Sequence, residues 1–296
     1  MFKFRCALCI LFFTFSLDKV DLLENGMART PPMGWMSWGY YMCATKCEGD
    51  DDKCLNEKLI MSVADTFYKE GYQEAGYEYI IIDDCWSEKE RDKDQRLVAD
   101  KKRFPRGMKF LADYIHSLGL KFGMYTNLAH ITCMRYPGSF NHLKIDAKTF
   151  AEWGVDYLKV DGCFVSEETL NTGESEPNYY PISKSCNMWR NFHGLVFGTG
   201  VLTRSQSRRQ IAMMAMLSAP ILLSCNMKLI TPYEKELLLN LNLIAVAQDT
   251  LGIMAKPKSL TLSPAPSKGG RCHLDDFYPP KKKKKLAIVK TTIEGI

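Results

Sequence analysis

Two short apolar runs in this chain each end on aspartate, and strands that deliver carboxylates at their C-terminal ends restrict the fold more than any other feature. Val155-Asp156-Tyr157-Leu158-Lys159-Val160-Asp161-Gly162-Cys163 reads as a buried β-strand ending on Asp161. Leu158 and Val160 supply strand-compatible apolar side chains. Lys159 and Asp161 are two residues apart, so they lie on one side of an extended chain. Gly162 is predicted to allow the sharp turn that leaves Asp161 at the strand mouth. Tyr79-Ile80-Ile81-Ile82-Asp83-Asp84-Cys85-Trp86 repeats the ending.

Helical stripes separate these strands. After a proline-led turn and a first strand over 30–38, an apolar stripe (Leu55, Leu59, Ile60, Val63, Ala64, Phe67) predicts a helix over 55–68, closed by Gly71. A strand over 78–82 and a polar surface excursion over 87–103 follow. Met108, Leu111, Ala112, Ile115 and Leu118 predict the next helix, with Gly119 at its end. A strand over 121–125 comes next, then a helix that Asp146 would N-cap and Gly154 would end, then the strand at 155–160. Strand–helix alternation with functional residues at strand C-termini predicts an α/β fold of the (β/α)8 TIM-barrel type. A doubly wound sheet is disfavoured because no glycine-rich phosphate loop follows the first strand.

Beyond Phe164 the alternation breaks. Residues 166–178 carry neither stripe nor strand, and 189–192 resemble a strand end. A helix over 206–217, a strand over 219–224, a helix over 233–239 and an apolar segment at 243–247 complete the regular part. Met213, Met214 and Met216 are expected in the core. From Lys256 onward Pro, Ser, Gly and Lys dominate, and order is expected to be poor. The expected division is a signal peptide over 1–21, a barrel over 22–250 and a remnant β region over 251–296.

The net charge of +5 is mild, and five of the cations form one run, Lys281–Lys285, so nucleic-acid binding is not indicated. Lys3 and Arg5 precede an apolar stretch, Cys6 to Leu17, of signal-peptide length and too short to span a bilayer. The secretory pathway, with a lysosomal or extracellular destination, is the expected location, without stable membrane insertion. No Asn-x-Ser/Thr sequon is present. Of eleven cysteines, Cys6 and Cys9 would leave with the signal, and the nine remaining leave at least one thiol unpaired within the chain. Cys43, Cys47, Cys54 and Cys85 form a close group, for which zinc competes weakly with disulfides because the spacings fit no usual zinc knuckle.

If the strands close into a barrel, Asp83, Asp84, Asp161 and Lys159 converge on one rim with Tyr125 and Trp38. Carboxylates accept hydrogen bonds from paired hydroxyls, and an indole stacks on the apolar face of a pyranose. That set suits a sugar. A single strand-end aspartate would more often cap a turn; the set together, on the rim where this fold carries its sites, argues for binding.

The same segments carry a resemblance. Leu23 through Trp35, Ile82-Asp83-Asp84-Cys85-Trp86, Phe104-Pro105-Arg106-Gly107, Tyr136-Pro137-Gly138-Ser139-Phe140 and Leu158 through Cys163 resemble the eukaryotic lysosomal α-galactosidase / α-N-acetylgalactosaminidase family. The likeness resumes at Pro177-Asn178-Tyr179, at Cys186 through Phe192, and from Leu195 to Gly252. It implies a (β/α)8 barrel with a following β-sandwich, and retaining hydrolysis of terminal α-linked galactose or N-acetylgalactosamine on a glycan or glycolipid. It implies Asp161 as nucleophile and Trp38, Asp83, Asp84, Tyr125, Lys159 and Arg190 around the sugar. It implies disulfides Cys43–Cys85, Cys47–Cys54 and Cys133–Cys163, and no metal or cofactor; homodimerisation is left open.

The chain also departs from that pattern. The family's strand between the nucleophile and Pro-Asn-Tyr, with its Ser-Cys-aromatic ending and the cysteine that would pair with Cys186, has no counterpart. After Phe192 the chain runs through His193 and Gly194 into Leu195, so the acid/base aspartate falls on Gly194. Two strand regions are thus missing and the barrel is expected to be incomplete. Retaining hydrolysis uses two carboxyl groups roughly 5–5.5 Å apart, so a galactose-binding pseudoenzyme is the alternative function. His193 is a weak replacement acid.

Overall fold

The computed structural model describes residues 29–47, 53–166, 197 and 202–252. The expected signal peptide, Arg190, Cys186, His193, Gly194 and nearly all of 251–296 lie outside the described residues. The chain divides into two units, Met1–Ala255 and Lys256–Ile296, and every described residue belongs to the first.

Among the described residues five strands, β1 (Met33–Met36), β2 (Tyr79–Ile81), β3 (Lys121–Asn127), β4 (Tyr157–Asp161) and β5 (Ile221–Leu223), form one sheet in the order β4-β3-β2-β1-β5. Every pairing is parallel. Each crossover therefore needs a helix: α2 (Glu57–Lys69) links β1 to β2, α3 (Gly107–Ser117) links β2 to β3, and α4 (Leu143–Trp153) links β3 to β4. Helix α5 (Arg204–Met216) precedes β5, while α6 (Pro232–Leu238) and α7 (Leu241–Ala247) follow it; α1 (Trp38–Tyr41) is a single turn after β1. Consecutive strands add in one direction from β1 to β4, and β5 joins β1 from the other side. Such an order describes the arc of an incomplete (β/α)8 barrel.

Sequence chemistry accounts for the elements. Every member of the 55–67 stripe is buried, and Asn56 caps the helix by accepting the Leu59 N–H at 2.8 Å. Thr203–Gln206 and Thr231–Glu234 form reciprocal capping boxes at α5 and α6. Gly154 ends α4 in the left-handed conformation, at φ 79°. Gly34 has a different reason: a Cβ there would fall 2.1 Å from the Tyr79 carbonyl of the neighbouring strand. The core lies between sheet and helices, with Trp35, Ile80 and Phe122 meeting Ile60, Phe67, Leu111 and Ile115, all fully buried.

Several expectations need correction. β4 is not a buried strand: its residues are half-buried, with Val160 39% exposed, because it is the outer strand of the described sheet. Gly162 does not enter the left-handed region; Phe164 does, at φ 60°. Asp146 does not cap α4, whose first turn begins at Leu143 after His142. Its carboxylate turns inward to a guanidinium, Arg91, at 2.7 Å on both oxygens. The 87–103 excursion is not simply a surface loop. Leu97, Ala99 and Arg103 are buried, and the Arg103 guanidinium donates to the Cys85 and Leu55 carbonyls at 2.6 and 3.1 Å. Of the three methionines assigned to the core, Met214 is buried but Met213 and Met216 are exposed, since they fall off the face of α5 that meets the sheet. The apolar segment at 243–247 is the helix α7.

Candidate active site

The C-terminal ends of β1 to β4 bring together Trp38, Asp83, Asp84, Tyr125, Lys159 and Asp161. Trp38 follows β1 and packs, partly buried, on Met36, Ile81 and Leu222. Asp83 and Asp84 follow β2 and are almost fully buried. Tyr125 comes from β3, and β3–β4 pairing sets it opposite Lys159.

Asp83 is held on three sides. Its N–H donates to Ser37 Oγ at 2.9 Å, its Oδ1 accepts the Asp84 N–H at 2.8 Å, and its Oδ2 meets Lys159 Nζ at 2.6 Å. A charge-assisted contact of that length to a carboxylate 2% exposed aligns both groups. Lys159 also lies 5.2 Å from the Tyr125 ring centroid.

Asp84 accepts the Cys85 N–H at 2.7 Å and the Thr132 hydroxyl at 2.8 Å on Oδ1, and the Met134 N–H at 2.9 Å on Oδ2. Burial nonetheless pushes its carboxyl above the ordinary value of 3.8, against the lowering effect of those three donors, with the Asp83 charge adding to the rise. The folded state therefore holds its proton more tightly than the unfolded chain does. Stability should fall as pH rises from about 3.8 through the raised value. Melting curves of the native chain and Asp84→Ala across pH 3 to 7 test this: the native chain should lose ground relative to the variant as pH rises, and parallel curves would contradict it.

Asp161 ends β4. Its Oδ1 accepts the Gly162 N–H at 2.8 Å, and its Oδ2 accepts the Tyr125 hydroxyl at 3.1 Å. Burial, then the charges of Asp84, Asp161 and Asp83, hold the Tyr125 phenol well above its usual range, so it stays a proton donor to Asp161. Trp86 fixes that tyrosine from behind, its indole N–H donating to the Tyr125 carbonyl at 2.9 Å.

All three disulfides form: Cys43–Cys85, Cys47–Cys54 and Cys133–Cys163. The first two dispose of zinc at that group, since their sulfurs are bonded to each other. Cys225 is a buried free thiol whose pKa burial pushes up to about 12. The Cys133 sulfur lies 3.3 Å from Asp161 Oδ2, so the third bridge presses against the strand-end carboxylate. Cys133, Cys163 and Asp161 form a tight group of metal-type donors, but sulfurs joined in a disulfide offer no thiolate.

Sequence reasoning missed Ser37, Thr132 and Asn127. Ser37 and Asn127 do end their strands, the position that marked the aspartates; Thr132 had no signal beyond its place beside Cys133. Asn127 is fully buried and its Nδ2 donates to the Ile131 and Cys163 carbonyls at 2.5 and 2.7 Å. Its Oδ1 finds no partner among the described residues. An amide suits the place because a carboxylate would face two carbonyls with no proton to offer.

Comparison with known proteins gives the family. Residues 30–175 and 193–249 match the Melibiase_2 family model, described as alpha galactosidase A. Human alpha-galactosidase A is 37% identical, covering 83% of this chain and 73% of its own. That match runs over 314 residues although this chain has 296, so the human protein carries stretches with no counterpart here. Chicken (Gallus gallus) alpha-N-acetylgalactosaminidase is also 37% identical, over 79% of this chain and 74% of its own. Alpha-galactosidase I of Mortierella vinacea superposes with a TM-score of 0.66 at 27% identity, covering 78% of this chain and 76% of that one. The chain spans less than two thirds of some solved structures it superposes on. With two strand-end aspartate motifs on one parallel arc and a family match over more than half its residues, the chain belongs to the melibiase family of glycosidases described as alpha galactosidase A.

Proposed function

We propose that this rim binds the terminal sugar of an α-galactoside or α-N-acetylgalactosaminide, with Asp161 as the group that attacks the anomeric carbon. The observation that carries the reading is the paired contact set Asp83–Lys159 and Tyr125–Asp161 on adjoining strand ends. Asp83, aligned by Lys159 and Ser37, can accept from sugar hydroxyls, and Lys159 can donate to them. Asp84 has one acceptor position beyond the three in use. Trp38 and Tyr125 are assigned to the walls around the sugar, and Arg190, from the resemblance, to the sugar as well. The Tyr125 hydroxyl on Oδ2 and the Gly162 N–H on Oδ1 hold Asp161, and each oxygen keeps a further lone pair for attack.

The chemistry divides at the leaving group. A retaining glycosidase needs a second carboxyl to protonate the departing oxygen and later activate water, and the family's position for it is Gly194 here. Losing that assistance costs about 10²–10⁴-fold. The chain is therefore proposed as a glycosidase whose turnover of ordinary glycosides is weak. Gly194 also favours a second reading, a binding protein for terminal galactose that does not cleave it. A secreted or lysosomal location, and a glycan or glycolipid partner, accompany both.

Calorimetric titration with galactose and with N-acetylgalactosamine tests the shared part. Binding of at least one sugar is expected, and it should weaken by about 100-fold in Asp83→Ala, the loss of a buried charged acceptor. No heat with either sugar would remove both readings.

A further inference from the structure

We propose that Arg135 and Phe164 form a platform for the group beyond the scissile bond, selecting aglycones that carry an aromatic face and an anionic substituent. The inference rests on the sugar-binding reading of the rim and extends it to the leaving group.

The two residues flank the Cys133–Cys163 bridge, one two positions after Cys133 and the other directly after Cys163. That bridge touches Asp161, its Cys133 sulfur 3.3 Å from Oδ2. The Arg135 loop also holds Asp84, through Thr132 Oγ1 and the Met134 N–H. Arg135 and Phe164 are thus fastened to the two loops that hold the rim carboxylates, and both are exposed.

Three observations point to a ligand. First, the Arg135 guanidinium lies 5.4 Å from the Phe164 ring centroid, and Phe164 is 56% exposed with Met134 beside them 39% exposed. A bulky aromatic and a methionine on the surface next to a proposed active carboxylate offer stacking area to an aglycone. Second, both residues adopt φ of 60° without being glycine. Left-handed backbone is disfavoured for large side chains, and such positions concentrate at ligand clamps. Glycine would satisfy either turn without strain, so both side chains carry a backbone cost that the turns themselves do not require. Third, the charge is positive: a ring contact leaves most guanidinium N–H donors available, and their fork matches carboxylate or sulfate. Lys89, exposed and 3.3 Å over the ring of adjoining Tyr136, adds a second cation.

Binding, not turnover, tests this. Calorimetry on the full chain would compare p-carboxyphenyl, phenyl and p-aminomethylphenyl α-galactosides with methyl α-galactoside. At low ionic strength the carboxyphenyl compound should bind roughly tenfold tighter than the phenyl one, the aminomethyl compound weaker than both, and added salt should narrow the gap. Arg135→Gly should erase the preference for the carboxylate, and Phe164→Gly should weaken every aryl galactoside, while methyl α-galactoside binds unchanged. Each glycine variant should melt about 2–4 °C higher through relief of the left-handed backbone. A merely structural role predicts the opposite, lower melting with aryl selectivity intact. Equal affinities for all three aryl compounds, or a preference that survives Arg135→Gly, overturns the proposal while leaving the sugar site standing. Failure of methyl α-galactoside and galactose to bind overturns the sugar reading and the platform with it.

Discussion

Asp161→Asn is expected to abolish the rapid release of dinitrophenolate when the chain meets 2,4-dinitrophenyl α-galactoside. Dinitrophenolate leaves without a proton, so a substrate of this kind bypasses the acid whose place, on the proposed reading, Gly194 occupies. On the proposed reading, Asp161 attacks the anomeric carbon, the bond to the phenolate oxygen breaks, and the phenolate departs with the electron pair. On that reading the galactosyl-enzyme then waits, because Gly194 stands where the resemblance puts the base that would activate water. A burst equivalent to one phenolate per chain should be followed by slow turnover. Azide, which needs no deprotonation, should speed the second step and yield α-galactosyl azide. Asparagine keeps the shape of Asp161 but not its negative charge, and the burst rate should fall by at least about 10⁴-fold, the scale on which loss of a nucleophile acts. A burst that survives in Asp161→Asn would assign the attack elsewhere. Sugar binding without any burst in the native chain would establish the pseudoenzyme reading.

The largest expected effect on stability lies away from the rim. Arg91 donates to both oxygens of Asp146 at 2.7 Å, to the Gly138 carbonyl at 2.7 Å and to the Gln95 carbonyl at 2.7 Å. Its side chain is 9% exposed and that of Asp146 2%. Arg91→Met would strand a buried carboxylate and free the segment around Gly138, which packs so closely that a Cβ at Gly138 would fall 2.0 Å from the Ala129 carbonyl. Removing one partner of such a pair costs about 3–5 kcal/mol, measurable as a drop in the urea midpoint. Replacing both residues, as Arg91→Met with Asp146→Leu, should recover much of the loss because no charge is left buried. A single variant within about 1 kcal/mol of the native chain would mean that water reaches Asp146.

Arg91 also marks where sequence reasoning failed. Asp146 near a helix start looks like a cap, and nothing local distinguishes a carboxylate that caps from one that turns inward 55 residues away to an arginine. Met213 and Met216 failed for a related reason. Hydrophobic character assigned them to the core, but the face of α5 turned inward takes Met214 and Ala215 and leaves Met213 and Met216 exposed.

By itself the sequence determined the parallel arc, the helices between its strands, and the strand ends that carry Asp83, Asp84 and Asp161. Period and punctuation are local: an apolar stripe, a capping residue and a glycine at a helix end fix an element wherever it packs. The pairing of Cys133 with Cys163 came from resemblance rather than from spacing, and the fold agrees. Only the tertiary structure decided which charges meet. Lys159 could have faced Asp161 on its own strand, yet it pairs with Asp83, 76 residues away, and Tyr125 takes Asp161. Strand register set that outcome: pairing β3 to β4 at Tyr125–Lys159 and Asn127–Asp161 fixes where the side chains stand across the rim, and no window of sequence contains that register.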